Sequence, residues 1–244
     1  MEHLGKQGFD YSKFPGTPLV LGHRGASADR PENTIEAFAE ARSQGADGVE
    51  LDVRRSADGA LVVHHDAVLA GGEPVYEVAV DRLPPSMPLL GAALDVLADM
   101  AVNIEVKNLP DEPGHDPDQL TARRVGALVV ERGLTGAVIV SSFALAAVDA
   151  VRSVEPSVAT GLLTTATADQ TRALEVASAR GHRFLHPHHL AVSTELVRRC
   201  HDAGLDVVTW TVDDPDRVRW LAEAGVDGLI TNRPAVALAA LGRG

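Results

Sequence analysis

Residues 48–66 read GVELDVRRSADGALVVHHD, and the rest of the sequence is organised around this stretch. Apolar residues at 49, 51 and 53 alternate with Glu50 and Asp52, so a β-strand here places its apolar side chains on one face and both carboxylates on the other. A second apolar run ends in the histidine pair His64-His65 and an aspartate. Two carboxylates about 6–7 Å apart along a strand repel one another unless a cation or a base lies between them. The pattern therefore favours a functional site over an ordinary structural core.

Short runs rich in Val, Leu and Ile alternate with helix-compatible segments from residue 18 to the end of the sequence. Eight such units in 244 residues predict a closed parallel (β/α)8 barrel, a TIM barrel of the α/β class, rather than a doubly wound sheet. Asn33 is predicted to cap the first helix, with Glu36 in the capping-box position. The predicted strands are 18–22, 48–53, 102–106, 137–140, 158–163, 184–186, 206–211 and 228–231, and the predicted helices are 33–44, 89–99, 117–132, 143–153, 168–179, 193–203, 214–224 and 234–241.

Residues 67–88 interrupt the alternation of strands and helices and contain Gly-Gly, Pro-Pro and Met-Pro pairs. We predict that they form a short insertion after the second strand. No low-complexity linker and no second compositional block are present, so we expect a single domain over residues 1–244.

Composition limits the classes of function. The net charge of −12 disfavours nucleic-acid binding, which needs a basic surface. An acidic protein that handles phosphate must supply positive charge locally, through a metal ion or a few Arg and Lys residues. The single cysteine, Cys200, excludes an intramolecular disulfide and a Cys-rich metal site. With no apolar leader and no apolar run of membrane-spanning length, the sequence predicts no membrane span and a cytoplasmic location, and it carries no signal for an oligomeric state.

In a (β/α)8 barrel, the chemistry takes place at the carboxyl ends of the strands. The second strand carries Glu50 and Asp52 there, and the third carries Glu105. A ligand set made only of oxygen atoms suits a hard cation, Mg²⁺ or Ca²⁺, and disfavours zinc. The alternative is a salt-bridge network with neighbouring Arg and Lys residues. We favour the cation, because two adjacent strands should not both bury acids without one.

Two histidines are candidates for acid–base catalysis, because imidazole titrates near neutral pH. His23 ends the first strand, and His65 ends the run that follows the second. His64 points away from His65 in an extended chain and is the weaker candidate. Arg24 and Lys107 offer fixed positive charge for a phosphate oxygen.

The later strands end in neutral or aromatic residues. Trp210, near the end of the seventh predicted strand, is a candidate apolar wall of the site, although a core position is equally compatible with a tryptophan. His186, near the end of the sixth, is a candidate substrate contact. It belongs to a group of four histidines whose spacing matches no zinc site.

Seven segments, in this order, resemble the glycerophosphodiester phosphodiesterase family: LGHRGASADRPENTIEAFAEA, GVELDV, LVVHHD, NIEVK, SSF, VVTWTVDD and GVDGLITNRP. Together they are spread over almost the whole chain, from residue 21 to residue 234, and their combination is highly specific. The resemblance implies a (β/α)8 barrel, metal ligands at Glu50, Asp52 and Glu105, acid–base histidines at His23 and His65, phosphate contacts at Arg24 and Lys107, and a tryptophan near the substrate pocket at Trp210.

The activity implied by this resemblance is the metal-dependent hydrolysis of glycerophosphodiesters to sn-glycerol 3-phosphate and an alcohol such as choline or ethanolamine. The substrate would be a small molecule of glycerol and lipid metabolism. The cofactor would be one divalent cation, Mg²⁺ or Ca²⁺, with Mn²⁺ as a further option. The resemblance leaves open which histidine is the acid, and whether water or the glycerol 2-hydroxyl attacks first.

Other activities are compatible with the same residues. A lysophospholipase D-like hydrolysis of lipid phosphodiesters would need an apolar channel near residues 67–88. A phospholipase C-like reaction and a non-catalytic phosphoester-binding module are more distant alternatives. The family usually continues with an Arg-Thr-Thr-like segment after the His-Asp pair, whereas this sequence has Ala67-Val68-Leu69-Ala70-Gly71-Gly72. This departure concerns the part of the site that would hold the leaving alcohol.

Overall fold

A computed structural model describes residues 8–244. Within this range eight parallel strands form a ring, because β1 pairs with both β2 and β9, and this confirms the predicted (β/α)8 barrel. The strands are β1 (Leu19–His23), β2 (Gly48–Arg55), β3 (Leu61–Val63), β4 (Ala101–Val106), β5 (Val138–Ser142), β6 (Ala159–Thr164), β7 (Phe184–Pro187), β8 (Asp206–Thr209) and β9 (Gly228–Thr231). The helices are α1 (Ile35–Ser43), α2 (Leu90–Val96), α3 (Leu120–Glu131), α4 (Leu145–Val154), α5 (Gln170–Ala179), α6 (Thr194–Asp202), α7 (Pro215–Glu223) and α8 (Pro234–Ala240).

The predicted insertion follows a hairpin rather than the second barrel strand itself. β3 runs antiparallel to β2 and lies outside the ring. The segment 67–88 then carries two short 3₁₀ helices, Val75–Glu77 and Val80–Arg82. Its apolar side chains form a small buried cluster with Val62, a residue of β3. The prediction of one domain over 1–244 includes residues 1–7, which lie outside the described residues.

The alternation read from β2 explains how this strand fits the barrel. Val49, Leu51 and Val53 are buried in the same cluster as Phe38, a residue of α1. Since successive side chains of a strand point to opposite faces, the carboxylates between them face the barrel interior. Neither α1 nor any other helix within residues 8–244 has the length and apolar character needed to cross a membrane.

The amino end of the barrel is filled with apolar side chains. Phe9, from the segment before β1, is buried and contacts Phe184 edge-to-face at 6.0 Å between ring centroids. Leu19, Leu21 and Ile139 belong to the same cluster. Because this end is packed closed, polar groups inside the barrel are accessible only from the carboxyl ends of the strands, which is where enzymes of this fold place their sites.

The close approach of β2 and β4 can be tested at Gly48. A Cβ atom there would lie 2.3 Å from the backbone carbonyl oxygen of Ala101, its partner in β4. We expect Gly48→Ala to lower the free energy of unfolding by about 1–3 kcal/mol, because one of the two strands must shift. Gly71→Ala is the control, since nothing lies within 4 Å of its added Cβ. Urea unfolding of both variants checks this, and equal midpoints would contradict it.

Candidate active site and metal centre

Three buried carboxylates meet at the carboxyl ends of β2 and β4. Glu50, Asp52 and Glu105 each offer an oxygen atom, and these atoms all lie within 4.8 Å of one another. The two strands are neighbours, with Asp52 in register with Glu105. The Oε1 atom of Glu50 is buried and accepts no hydrogen bond from residues 8–244. A buried oxygen without a donor, in a set of hard oxygen donors, fits a divalent cation.

Two basic side chains already contact these acids. The Lys107 Nζ atom lies 3.0 Å from Oδ1 of Asp52 and 2.5 Å from Oε1 of Glu105. The Arg24 Nε atom lies 3.1 Å from Oδ2 of Asp52, and the Arg24 backbone N–H donates to Oε2 of Glu50 over 3.0 Å. The salt-bridge network and the acid cluster therefore coexist. Two cations against three acids leave a surplus of negative charge.

The pKa values of the acids depend first on burial and then on the neighbouring charges. Burial, followed by the charges of Asp52 and Glu105, raises the pKa of Glu50 well above its usual range. Burial also raises the pKa of Glu105 to about 7, with a further increase from Asp52 and opposition from Lys107. Burial acts in the same direction on Asp52, but Lys107 and Arg24 outweigh it and lower its pKa. A divalent cation would favour the ionised form of all three acids.

His23 is held by a hydrogen-bond relay. Its Nδ1 atom lies 2.7 Å from Oδ1 of Asn232, while the Nδ2 atom of Asn232 donates to Asp213 over 2.6 Å. Because Asp213 uses the amide nitrogen, the amide oxygen accepts from His23, which places the proton on Nδ1. The other ring nitrogen, Nε2, lies 3.9 Å from Oε2 of Glu50. Burial, and then the charge of Arg24, lowers the pKa of His23, so the ring is neutral and can accept a proton at Nε2.

His65 lies on another side of the acid cluster, after β3. Its Nδ1 atom is 2.7 Å from Oδ1 of Asp66, and its charge helps to lower the pKa of Asp52. The backbone N–H of His64 donates to the carbonyl oxygen of Asp52 over 3.0 Å, which joins this segment to β2. About a third of the His65 side chain is exposed, so its ring is accessible to a substrate.

A pocket opens beside the acids, and Trp210 forms part of its wall. The indole N–H of Trp210 donates to the carbonyl oxygen of His186 over 2.9 Å. The rings of Phe143 and His188 contact the indole edge-on, at 5.4 and 5.0 Å between centroids. The pocket is lined by His23, Glu50, Asn103, Glu105, Leu163, Trp210 and Ile230.

The ring of His186 is not brought to this pocket. The residue has no exposed surface, and neither ring nitrogen has a hydrogen-bond partner in the described part of the chain. A Cβ atom at Gly161 would lie only 2.7 Å from its Nε2, so the ring packs closely against β6. Burial lowers its pKa to about 3 and keeps it neutral. Substrate binding by His186 stays a prediction that no contact supports.

Asn33 was expected to cap α1, and this expectation is wrong. Thr34 is the N-cap, and its Oγ1 accepts from the backbone N–H of Ala37 over 3.1 Å. Asn33 instead has φ +57° and donates from Nδ2 to Oδ2 of Asp52 over 2.8 Å. Asparagine is one of the residues most often found in left-handed backbone, and this preference was the signal in the sequence that Asn33 could lie in a turn rather than at the helix cap.

Asn103 is another amide of the site, and the sequence suggested no role for it. It is buried on β4 and donates from Nδ2 to Oγ of Ser141 over 3.0 Å. Its Oδ1 atom is buried and accepts no hydrogen bond from residues 8–244. Asn103 thus adds an oxygen acceptor to the pocket wall beside Glu105.

The raised pKa of Glu105 predicts a specific pH dependence of stability. A carboxyl group with a folded-state pKa above its unfolded value contributes stability at low pH and loses it as pH rises. For Glu105 the loss spans the interval from 4.5 to about 7. In a chelator, we therefore expect wild type to lose stability relative to Glu105→Gln as pH rises from 5 to 8. Urea unfolding of both proteins at each pH isolates this group from the histidines. A difference that is independent of pH would contradict the assignment.

Comparisons with known proteins agree with this geometry. The model of the glycerophosphoryl diester phosphodiesterase family matches residues 23–236. A glycerophosphodiester phosphodiesterase from Caldanaerobacter subterraneus subsp. tengcongensis is 32% identical over 88% of this chain and 94% of its own length. The crystal structure of a Thermotoga maritima glycerophosphodiester phosphodiesterase is 28% identical, with a TM-score of 0.78 over 92% of this chain and 98% of that one.

A third relative carries a bound product. An Oleispira antarctica phosphodiesterase, solved in complex with the product sn-glycerol-3-phosphate, is 25% identical, with a TM-score of 0.80 over 95% of this chain and 98% of its own. The family match covers most of the sequence and includes every residue of the acid cluster. This chain belongs to the glycerophosphoryl diester phosphodiesterase family, whose members are phosphoric diester hydrolases.

Proposed function

We propose that this enzyme hydrolyses glycerophosphodiesters to sn-glycerol 3-phosphate and an alcohol, using a divalent cation and two histidines. The observation that carries the proposal is the cluster of three buried acids, two of which line a pocket together with His23, whose lowered pKa keeps its ring neutral. The Oleispira antarctica relative supports the choice of product, since it was solved with sn-glycerol-3-phosphate bound.

Glu50, Asp52 and Glu105 would hold the cation, which we propose to be Mg²⁺ or Ca²⁺, with Mn²⁺ as a further option. Their donor atoms are carboxylate oxygens, the ligands that these hard cations prefer. A bound cation supplies positive charge that stabilises the phosphate and the negative charge that develops as the phosphorus becomes five-coordinate.

The protein's own residues would carry out the proton transfers and bind the phosphate oxygens. His23 accepts the proton of the attacking hydroxyl at Nε2 as the new oxygen–phosphorus bond forms. His65 donates a proton to the alkoxide as the bond between phosphorus and the leaving oxygen breaks. Lys107 and Arg24 offer positive charge to the phosphate oxygens. Attack by water or by the glycerol 2-hydroxyl requires the same proton transfer to His23, and a transient cyclic phosphate seen by ³¹P NMR would distinguish the second route.

The structure favours a small diester over a lysophospholipid. The apolar side chains of the insertion, including Val75 and Val78, are buried in their own cluster with Val62 rather than arranged along a channel. A non-catalytic binding module would not need a histidine whose tautomer is fixed by Asn232. A cytoplasmic location stays a prediction from the sequence.

The two histidines can be tested by substitution. We expect His23→Ala and His65→Ala each to lower kcat/KM for glycerophosphocholine by about 10²–10⁴-fold, because each removes one proton transfer. His201→Ala is the matched control, since that exposed histidine of α6 pairs with Asp227. Activity within a few-fold of wild type in both site variants would reject the assignment.

The same assay tests the cation. Activity should disappear in EDTA and return when Mg²⁺, Ca²⁺ or Mn²⁺ is restored. Calorimetric titration with each metal alone should show binding to wild type and a loss of binding in Glu50→Gln, which removes one charged ligand. Full activity in EDTA would refute the metal-dependent mechanism.

The relay to His23 provides a separate test. Asn232→Ala removes the acceptor that fixes the Nδ1 proton, and we expect kcat to fall by about 10–100-fold with little change in the thermal midpoint. Ser27→Ala is the control, because Ser27 also donates to Oδ1 of Asn232, over 2.9 Å, but does not contact the ring. Equal kcat values for the two variants would show that the relay does not position His23.

A further inference from the structure

A second pocket lies next to the acid cluster and is lined with basic side chains; we call it the basic pocket. Arg54 and Arg55 at the end of β2 and Lys107 after β4 supply three positive charges to its wall. Tyr76 of the insertion and Gly114 of the β4–α3 loop complete one side. A Cβ atom at Gly114 would lie 2.8 Å from the Tyr76 ring, so these two segments meet closely there.

The basic pocket is continuous with the catalytic groups. Lys107 lines it and also contacts Asp52 and Glu105 through Nζ. Arg54 lines it and donates from Nε to the carbonyl oxygen of His65 over 2.7 Å. The pocket therefore lies on the side of the acid cluster where the proposed function places the leaving alcohol.

One of the three positive charges of the pocket is not balanced by a carboxylate from the part of the chain that the structure describes. Arg54 is paired with Glu112 over 2.9 Å, and Lys107 is paired with the acid cluster. The side chain of Arg55 makes neither an ion pair nor a hydrogen bond to any residue in 8–244, and its Nε atom is buried. A guanidinium with a buried, unpartnered N–H group at a pocket wall is suited to bind an anion from outside the chain.

We propose that the basic pocket binds a phosphate group on the leaving alcohol, and that the preferred substrates are glycerophosphodiesters whose alcohol is itself phosphorylated. Guanidinium groups recognise phosphate through paired N–H donors, which a neutral alcohol or a choline group cannot use. This inference rests on the proposed function for the position of the reacting phosphorus. Part of the pocket wall comes from the insertion, whose first residues, 67–72, are those where the sequence departs from the usual family pattern.

The test compares two diesters that differ by one phosphate. Glycerophosphoglycerol is the first, and the same diester with a phosphate monoester on the leaving glycerol is the second. We expect kcat/KM of the wild-type enzyme, followed by ³¹P NMR of the diester, to be about 10–100-fold higher for the phosphorylated compound, as charge-assisted hydrogen bonds to one anion would give. Equal kcat/KM values for the two diesters would overturn the inference. A kcat/KM for glycerophosphocholine above that for the phosphorylated diester would also overturn it.

Variants show whether Arg55 carries the preference. Arg55→Gln should lower kcat/KM about tenfold or more for the phosphorylated diester and by less than about threefold for the other, while Arg55→Lys should keep part of the preference. Arg82→Gln is the control, because this exposed arginine of the same insertion pairs with Glu73 and lies outside the pocket. An equal loss on both diesters in Arg55→Gln would indicate a purely structural role and contradict the proposal.

The result also separates the two proposals. A wild-type enzyme that hydrolyses glycerophosphoglycerol without preferring its phosphate derivative would refute the basic pocket and leave the proposed function intact. An enzyme that hydrolyses neither diester in the presence of metal would refute both.

Discussion

The constraint on which this site depends is the burial of three carboxylates at the ends of two adjacent strands. The register of β2 and β4 holds Glu50, Asp52 and Glu105 close together. Because this register fixes their backbone positions, a change of rotamer cannot move the three backbones apart. Carboxylates buried at this distance raise one another's pKa unless positive charge is supplied. Lys107 and Arg24 supply part of it, but burial and the charge of Asp52 still hold the pKa of Glu105 above its usual range.

The loop between β1 and α1 is shaped by the same requirement. Arg24 and Asn33 both have positive φ values, near +57°, and the backbone N–H of Asn33 donates to the carbonyl oxygen of Arg24. Both side chains contact Asp52. Left-handed backbone in non-glycine residues is unfavourable, and it persists where surrounding contacts stabilise it, often at functional sites. Here the loop wraps around one carboxylate and supplies it with a charge and an amide donor.

The sequence predicted those parts of the site that depend on local periodicity. The alternation in β2 placed Glu50 and Asp52 on the inner face, because the strand period is two along the whole length. Asn33 was misassigned because helix capping is a local preference, whereas its bond to Asp52 exists only when the barrel has formed. His186 shows the same limit. A strand-end position indicates the end of the barrel but does not indicate whether a side chain reaches the pocket or packs below its wall.

The basic pocket and the overall charge act over different distances. A chain of net charge −12 repels a phosphorylated substrate at long range, but salt screens that repulsion beyond about 8–10 Å. An anion in the basic pocket would lie within about 8–10 Å of Arg54, Arg55 and Lys107, which line it, and screening over so short a distance is weak. The proposed preference for a phosphorylated alcohol would therefore depend on the side chains that line the pocket rather than on net charge. Arg55 should contribute most to anion binding in the basic pocket, because its charge is the one that no residue of the described chain neutralises.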